Sequence, residues 1–134
     1  MADLQKLIQA AREARERAIA PYSGFKVGAA LLTASGPIIQ GCNIENASYG
    51  LTVCAERVAL LTALASGERD FISIAVISQS DPAASPCGPC RQLLWEYCRD
   101  IDVHLVTLNG TTESTTLAAL FPRPFDLNPG EKNA

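Results

Sequence analysis

Apolar residues recur at helical spacing through Leu4, Leu7, Ile8, Ala11, Ala14, Ala18 and Ile19, while Arg12, Glu13, Arg15, Glu16 and Arg17 occupy the other face. This pattern predicts an amphipathic helix that Asp3 caps and Pro21 ends. The period then changes. Residues 27–32 and 38–43 are short, mainly apolar runs on either side of Ala34, Ser35, Gly36 and Pro37, which predicts a hairpin. Residues 43–50 are polar, small and turn-prone, hence a loop. A second helix is predicted over about 53–65, burying Val58, Leu61, Leu64 and Ala65 and stopping at Gly67. Residues 71–77 form a near-continuous apolar run, as in a strand covered on both faces. After a Pro- and Ser-containing loop at 80–86 come a third helix over 87–99 and a strand at 103–108. A short strand at 113–116 and a helical turn at 117–120 precede an extended tail from Phe121. The order of elements predicts an α/β fold: a three-layer α/β/α domain around a mixed five-stranded sheet, with residues 1–134 as a single domain.

Composition narrows the classes of function. A chain of 134 residues can bury a sizeable core. With 48% hydrophobic residues and a mean hydropathy of +0.11, it is apolar enough that some surface is expected to be hidden in an oligomer. The net charge of −3 weighs against nucleic acid as a partner, because phosphate binding needs clustered Lys and Arg. Small-molecule chemistry fits better. The first residues show no basic segment followed by an apolar one, so no signal peptide is expected. No apolar run approaches the roughly 18–20 residues of a membrane span. Five cysteines without an export signal point to thiols and metal rather than disulfides, and to a cytoplasmic setting.

The chemistry gathers at two helix starts. Cys54-Ala55-Glu56 opens the second helix, and Cys87-Gly88-Pro89-Cys90 opens the third. Three thiols suffice to hold a tetrahedral zinc ion with its fourth position free for water. Both helix starts present N–H groups and positive dipole ends, which lower thiol pKa values. Three thiolates exceed the charge of Zn²⁺ by one, so a bound water is less acidic than in an all-histidine site, and a base beside it becomes necessary. Glu56 fills that place, and Arg57 can offset the surplus charge. Two rival readings use the same cysteines. Cys87-Gly88-Pro89-Cys90 also spells a thiol–disulfide oxidoreductase motif, although Pro86 precedes it where an aromatic is usual, and a third Cys stands upstream. A structural zinc-binding module would need a fourth ligand from Cys42, Cys98 or His104. Cys98 would lie roughly 12 Å along the third helix from Cys90, out of reach. His104 sits in an apolar strand as a packed or edge residue, and spacing leaves Cys42 open.

Beyond the thiols, the chain resembles cytidine deaminases of the small, three-cysteine zinc type. The resemblance is carried by Pro21-Tyr22-Ser23-Gly24-Phe25-Lys26-Val27-Gly28-Ala29-Ala30, by residues 41–52, by Cys54-Ala55-Glu56-Arg57 and by residues 85–92. It implies one zinc per subunit on Cys54, Cys87 and Cys90, with Glu56 shuttling protons. Asn43 and Glu45 would grip the ribose hydroxyls of a nucleoside, Phe25 would pack against it, and the Ala55 backbone would address the pyrimidine ring. The implied reaction is hydrolytic deamination of cytidine and deoxycytidine. The implied assembly is a homotetramer in which Phe125 closes a neighbour's active site.

Overall fold

The computed structural model describes residues 2–126. Helix α1 (Ala2–Arg15) is followed by strands β1 (Val27–Thr33) and β2 (Ile38–Cys42), a 3₁₀ turn (Tyr49–Leu51) and helix α2 (Ala55–Ala65). Strand β3 (Phe71–Ser78), helix α3 (Gly88–Cys98), strands β4 (Asp102–Val106) and β5 (Thr112–Thr116) and the single turn α4 (Leu117–Leu120) complete the order. The five strands form one mixed sheet in the order β2-β1-β3-β4-β5. Strand β1 runs antiparallel to both β2 and β3. Strand β4 is parallel to β3, with α3 as the crossover, and antiparallel to β5.

The alternation of side chains along a strand divides the core in two. From β3, Ile74 and Val76 join Leu31, Val103, Leu105, Leu60 and Leu94 beneath α2 and α3. Ala75 and Ile77, one residue out of phase, join Ala30, Val106, Leu7, Ile8 and Ala11 beneath α1. Helices on both faces of one mixed sheet make the three-layer arrangement expected from the order of elements.

Three local expectations are corrected. Helix α1 already includes Asp3, whose carboxylate lies in the first turn rather than at the cap. It also ends at Arg15, well before Pro21, because Ile19 pairs as an extended residue with Ile44: its N–H donates to Asn43 O at 3.0 Å, and its carbonyl accepts from Glu45 N at 2.8 Å. In α2 the buried side chains are Ala55, Glu56, Ala59, Leu60 and Ala63, whereas Leu61 is 48% exposed.

The cause of that rotation is a close approach to the sheet. A β-carbon at Gly41 would stand 2.4 Å from Ala55 O and 2.5 Å from Ala59 N. Only glycine on β2 and alanines on α2 allow this spacing, so the small face turns inward, leaving Val58 half-buried and Leu61 exposed. Gly28 plays the same part beneath α1, where an added β-carbon would meet Ala11 O at 2.0 Å. The contact at Gly41 also fixes where α2 begins, and thus where Cys54 and Glu56 stand. Gly41→Ala is expected to destabilise the fold by about 1–3 kcal/mol through overpacking. Gly50→Ala, where an added β-carbon meets nothing within 4 Å, should leave thermal unfolding unchanged. Equal melting temperatures for the two variants would refute the close approach.

Candidate active site

Two helix N-termini converge beside the carboxyl end of β3. Cys54 is the N-cap residue of α2 and Cys87 that of α3, both extended at ψ 154° and 168°. Cys90 follows in the first turn of α3, where Pro89 fits because the first helical N–H groups need no partner within the helix. The three Sγ atoms lie within 4.8 Å of one another, and Cys87 Sγ and Cys90 Sγ are 3.3 Å apart. Among the described residues this is the one such group of metal-ligating side chains. Cys90 is fully buried, and Cys54 and Cys87 lie on the wall of an open cavity.

The protonation pattern follows from the crowding. Cys54 is drawn down to about 6, first by a hydrogen bond from the Cys90 thiol and then, against the cost of burial, by Cys87 and the Arg57 guanidinium. Cys90 moves strongly the other way, because its proton is shared with Cys54 and its burial and the Glu56 carboxylate oppose further charge. The cluster by itself stabilises one thiolate and resists the next. A divalent cation removes that resistance, and the donor set and spacing suit zinc: thiolates bound at about 2.3 Å with tetrahedral angles stand about 3.8 Å apart. That value lies between the 3.3 Å of the Cys87–Cys90 pair and the 4.8 Å outer bound.

Glu56 is only 6% exposed. Burial pushes its carboxyl up to about 7 and the Cys54 charge adds to the rise, while a backbone hydrogen bond and Arg57 oppose it. A cation among the thiolates would oppose that rise by offsetting the Cys54 charge. Such a carboxyl can both take and return a proton near neutral pH. Arg57 donates through Nη2 to Thr52 O at 2.9 Å and acts on the Cys54 thiolate through its charge and a hydrogen bond.

The cavity, of about 350 Å³, brings Phe25, Asn43, Glu45, Ala55 and Glu56 together with Cys54 and Cys87. Asn43 accepts from Val27 N at 2.9 Å and donates to Phe25 O at 2.8 Å, which pins the entry of β1. Glu45 accepts the N–H groups of Tyr22 and Ser23 at 2.9 and 3.1 Å and the Ser23 hydroxyl. The Ser23 hydroxyl, ahead of the two backbone N–H groups, holds the Glu45 carboxyl below the usual carboxylate range. Phe125 lies elsewhere: it does not line this cavity, and it is 71% exposed.

The remaining candidates stay apart from the cluster. Cys98 is buried in the core at the end of α3. His104 meets Ser114 Oγ across β4 and β5 at 2.8 Å, and Cys42 ends β2 outside the three-thiol group. The polar wall residues to which the sequence assigned no role include Ser23, Tyr49, Thr52, Ser78 and Ser85. Ser78 had a signal, as the polar residue closing an otherwise apolar strand; Ser23 stood in a stretch that carries the resemblance, without a role of its own.

The family model described as the cytidine and deoxycytidylate deaminase zinc-binding region matches residues 1–105. A cytidine deaminase of Sporosarcina psychrophila is 48% identical over 124 residues, covering 92% of this chain and 91% of its own. That of Halalkalibacterium halodurans is 50% identical over 124 residues, covering 92% and 94%. The crystal structure of cytidine deaminase from Burkholderia pseudomallei superposes with a TM-score of 0.88 at 48% identity, over 90% of this chain and 98% of that one. The matched region contains all three thiols and the buried carboxylate, and the chain belongs to the cytidine and deoxycytidylate deaminase family.

Proposed function

We infer that the protein is a zinc-dependent hydrolase that converts cytidine and deoxycytidine to uridine and deoxyuridine with release of ammonia. The observation that carries this is Glu56, a buried carboxyl at the base of a nucleoside-sized cavity beside three clustered thiols. Cys54, Cys87 and Cys90 would hold zinc, which would supply Lewis acidity to lower the pKa of a nucleophilic water. Glu56 takes a proton from that water and delivers it to ring N3, which makes C4 electrophilic. As oxygen adds to C4, the carbon becomes tetrahedral. Glu56 then carries the second proton to the amino group, the C4–N bond breaks, and ammonia leaves. One water is consumed and no redox step occurs.

Residues around the cavity supply binding. Asn43 and Glu45 address the ribose hydroxyls; the amide has a second N–H, and the carboxylate has unused lone pairs beyond its three protein bonds. Their bonds to the 22–27 segment hold them ready before substrate arrives. Phe25 packs against the nucleoside, and the Ala55 N–H, in the first turn of α2, is free to meet the ring.

The functional unit we propose is residues 1–134 as one catalytic domain, assembled as a homotetramer. Exposed Ile19, Ile44, Tyr22, Tyr49 and Leu51 support an assembly face near the cavity mouth, and the exposed Phe125 ring supports a site completed by a neighbour's aromatic. A cytoplasmic role in pyrimidine salvage, without nucleic acid or membrane as partner, accords with five free cysteines and a net charge of −3. No helix among the described residues is long and apolar enough to cross a membrane.

Purified protein with stoichiometric zinc should convert cytidine to uridine, followed as an ultraviolet change. Insulin reduction without cytidine turnover would instead establish the oxidoreductase, and neither activity would leave a structural zinc module. Glu56→Gln should keep zinc and fold yet lose about 10²–10⁴-fold or more in turnover, because the amide cannot accept the water's proton. Turnover within a few-fold of the parent would remove Glu56 from the mechanism. Cys90→Ala should lose both zinc and thermal stability, since metal binding and folding are coupled. Cys98→Ala should keep zinc and lose only about 1 kcal/mol of core packing. Metal analysis showing the reverse would overturn the ligand set.

A further inference from the structure

After α4 the chain turns back along α3, and a row of α3 side chains holds it there. Arg91 Nη1 donates to Leu120 O at 2.5 Å. One turn of chain later, Gln92 makes two bonds to a single residue: Nε2 donates to Phe125 O at 2.8 Å, and Oε1 accepts from Phe125 N at 3.1 Å. Asp126 is then caught by Arg99, through Nη1 at 2.5 Å and Nη2 at 3.3 Å, and by Trp95 Nε1 at 3.3 Å. The Arg99 guanidinium lies 5.6 Å over the Trp95 ring, so the ion pair rests on an aromatic shelf.

This strap fixes orientation. Pro122 and Pro124 have no N–H and a restricted φ, so the segment is stiff and has few donors of its own. Gln92 takes the N–H and the carbonyl of residue 125 together, as a neighbouring strand would, and so sets the rotation of that residue about the chain. The Phe125 side chain is left 71% exposed, although phenylalanine is ordinarily buried. At the strap's far end Arg99 holds φ 58°, the one positive φ outside glycine among the described residues. A backbone in that region persists where its surroundings over-determine it. Arg99 ends α3 as its C-cap with its N–H on Trp95 O at 3.0 Å, and its side chain is held by Asp126 over the Trp95 ring.

We propose that Gln92 and the Arg99–Asp126 pair are positioning residues that hold Phe125 in the orientation in which its ring enters a neighbouring subunit's substrate cavity. This rests on the shared-site reading given above. It also gives α3 two tasks: its N-cap and first turn carry Cys87 and Cys90 for its own subunit, and its remaining turns aim an aromatic at the neighbour's substrate.

Hybrid tetramers isolate the second task from the first. A Phe125→Ala subunit, with its own Glu56 intact, is co-expressed with a Glu56→Gln subunit that donates Phe125, and doubly tagged hybrids are purified. Any change at Gln92 on the donor is silent at the donor's own site, because that site is already inactive. The Glu56→Gln donor should restore cytidine kcat/KM above that of the Phe125→Ala parent. Donors carrying Glu56→Gln with Gln92→Met, or with Asp126→Asn, should restore roughly threefold to tenfold less, through a raised KM, as expected for lost hydrogen bonds. Asp126→Asn alters the strap far from the thiols, and so decides the matter if Gln92→Met does not assemble. Undiminished recovery from either strap variant in verified hybrids overturns the positioning role and leaves the shared site standing. No recovery from the unmodified donor overturns the shared site, and the strap with it.

Discussion

Three sulfur atoms held within 4.8 Å of one another cannot all carry charge unless a cation lies among them. The first proton leaves Cys54 readily, and that thiolate then opposes ionisation of Cys90. Burial sharpens the conflict, because the surrounding medium screens charge poorly. Two helix N-termini and Arg57 relieve part of it. Zinc relieves the rest, and what remains is a surplus of one negative charge beside a carboxyl that burial has already raised to about 7. In the mechanism proposed above, the acidity of the water and the basicity of Glu56 would thus be set by the same crowding. The chemistry of the site begins there.

The sheet exists, functionally, to bring two helix starts to one point. Glycine at 41 lets α2 settle onto β2 at backbone contact, and the parallel β3–β4 pair demands a crossover that delivers α3 to the same end of the sheet. Asn43 and Glu45 leave β2 at that end and brace the 22–27 segment against it. The wall of the cavity is therefore built from bonds that exist without substrate, so little ordering remains to be done on binding.

Much of this was legible in the sequence where the determining contacts are local. Ligand spacing at Cys54, Cys87 and Cys90 follows from helix starts, and the hairpin from its turn residues. The apolar run of β3 announced a strand covered on both faces. Reading failed where a distant residue decides. The face of α2 is chosen by Gly41, fourteen positions before Ala55, and hydrophobicity alone pointed to Val58 and Leu61 instead. Ile19 looked like the end of a helix because its partner, Ile44, lies across the fold. Ser23 and Gln92 fall in stretches that carry the resemblance, yet nothing local gives them a role: a hydroxyl and an amide acquire one only when Glu45 and Phe125 arrive beside them.

The central claim is that three thiolates hold one zinc and leave a single position open for the reacting water. X-ray absorption at the zinc edge of the purified, substrate-free protein addresses this directly. The account predicts three sulfur neighbours at about 2.3 Å and one lighter neighbour, oxygen or nitrogen, at about 2.0 Å. A shell of four sulfurs, drawing in Cys42 or another thiol, or a shell without sulfur, would contradict it.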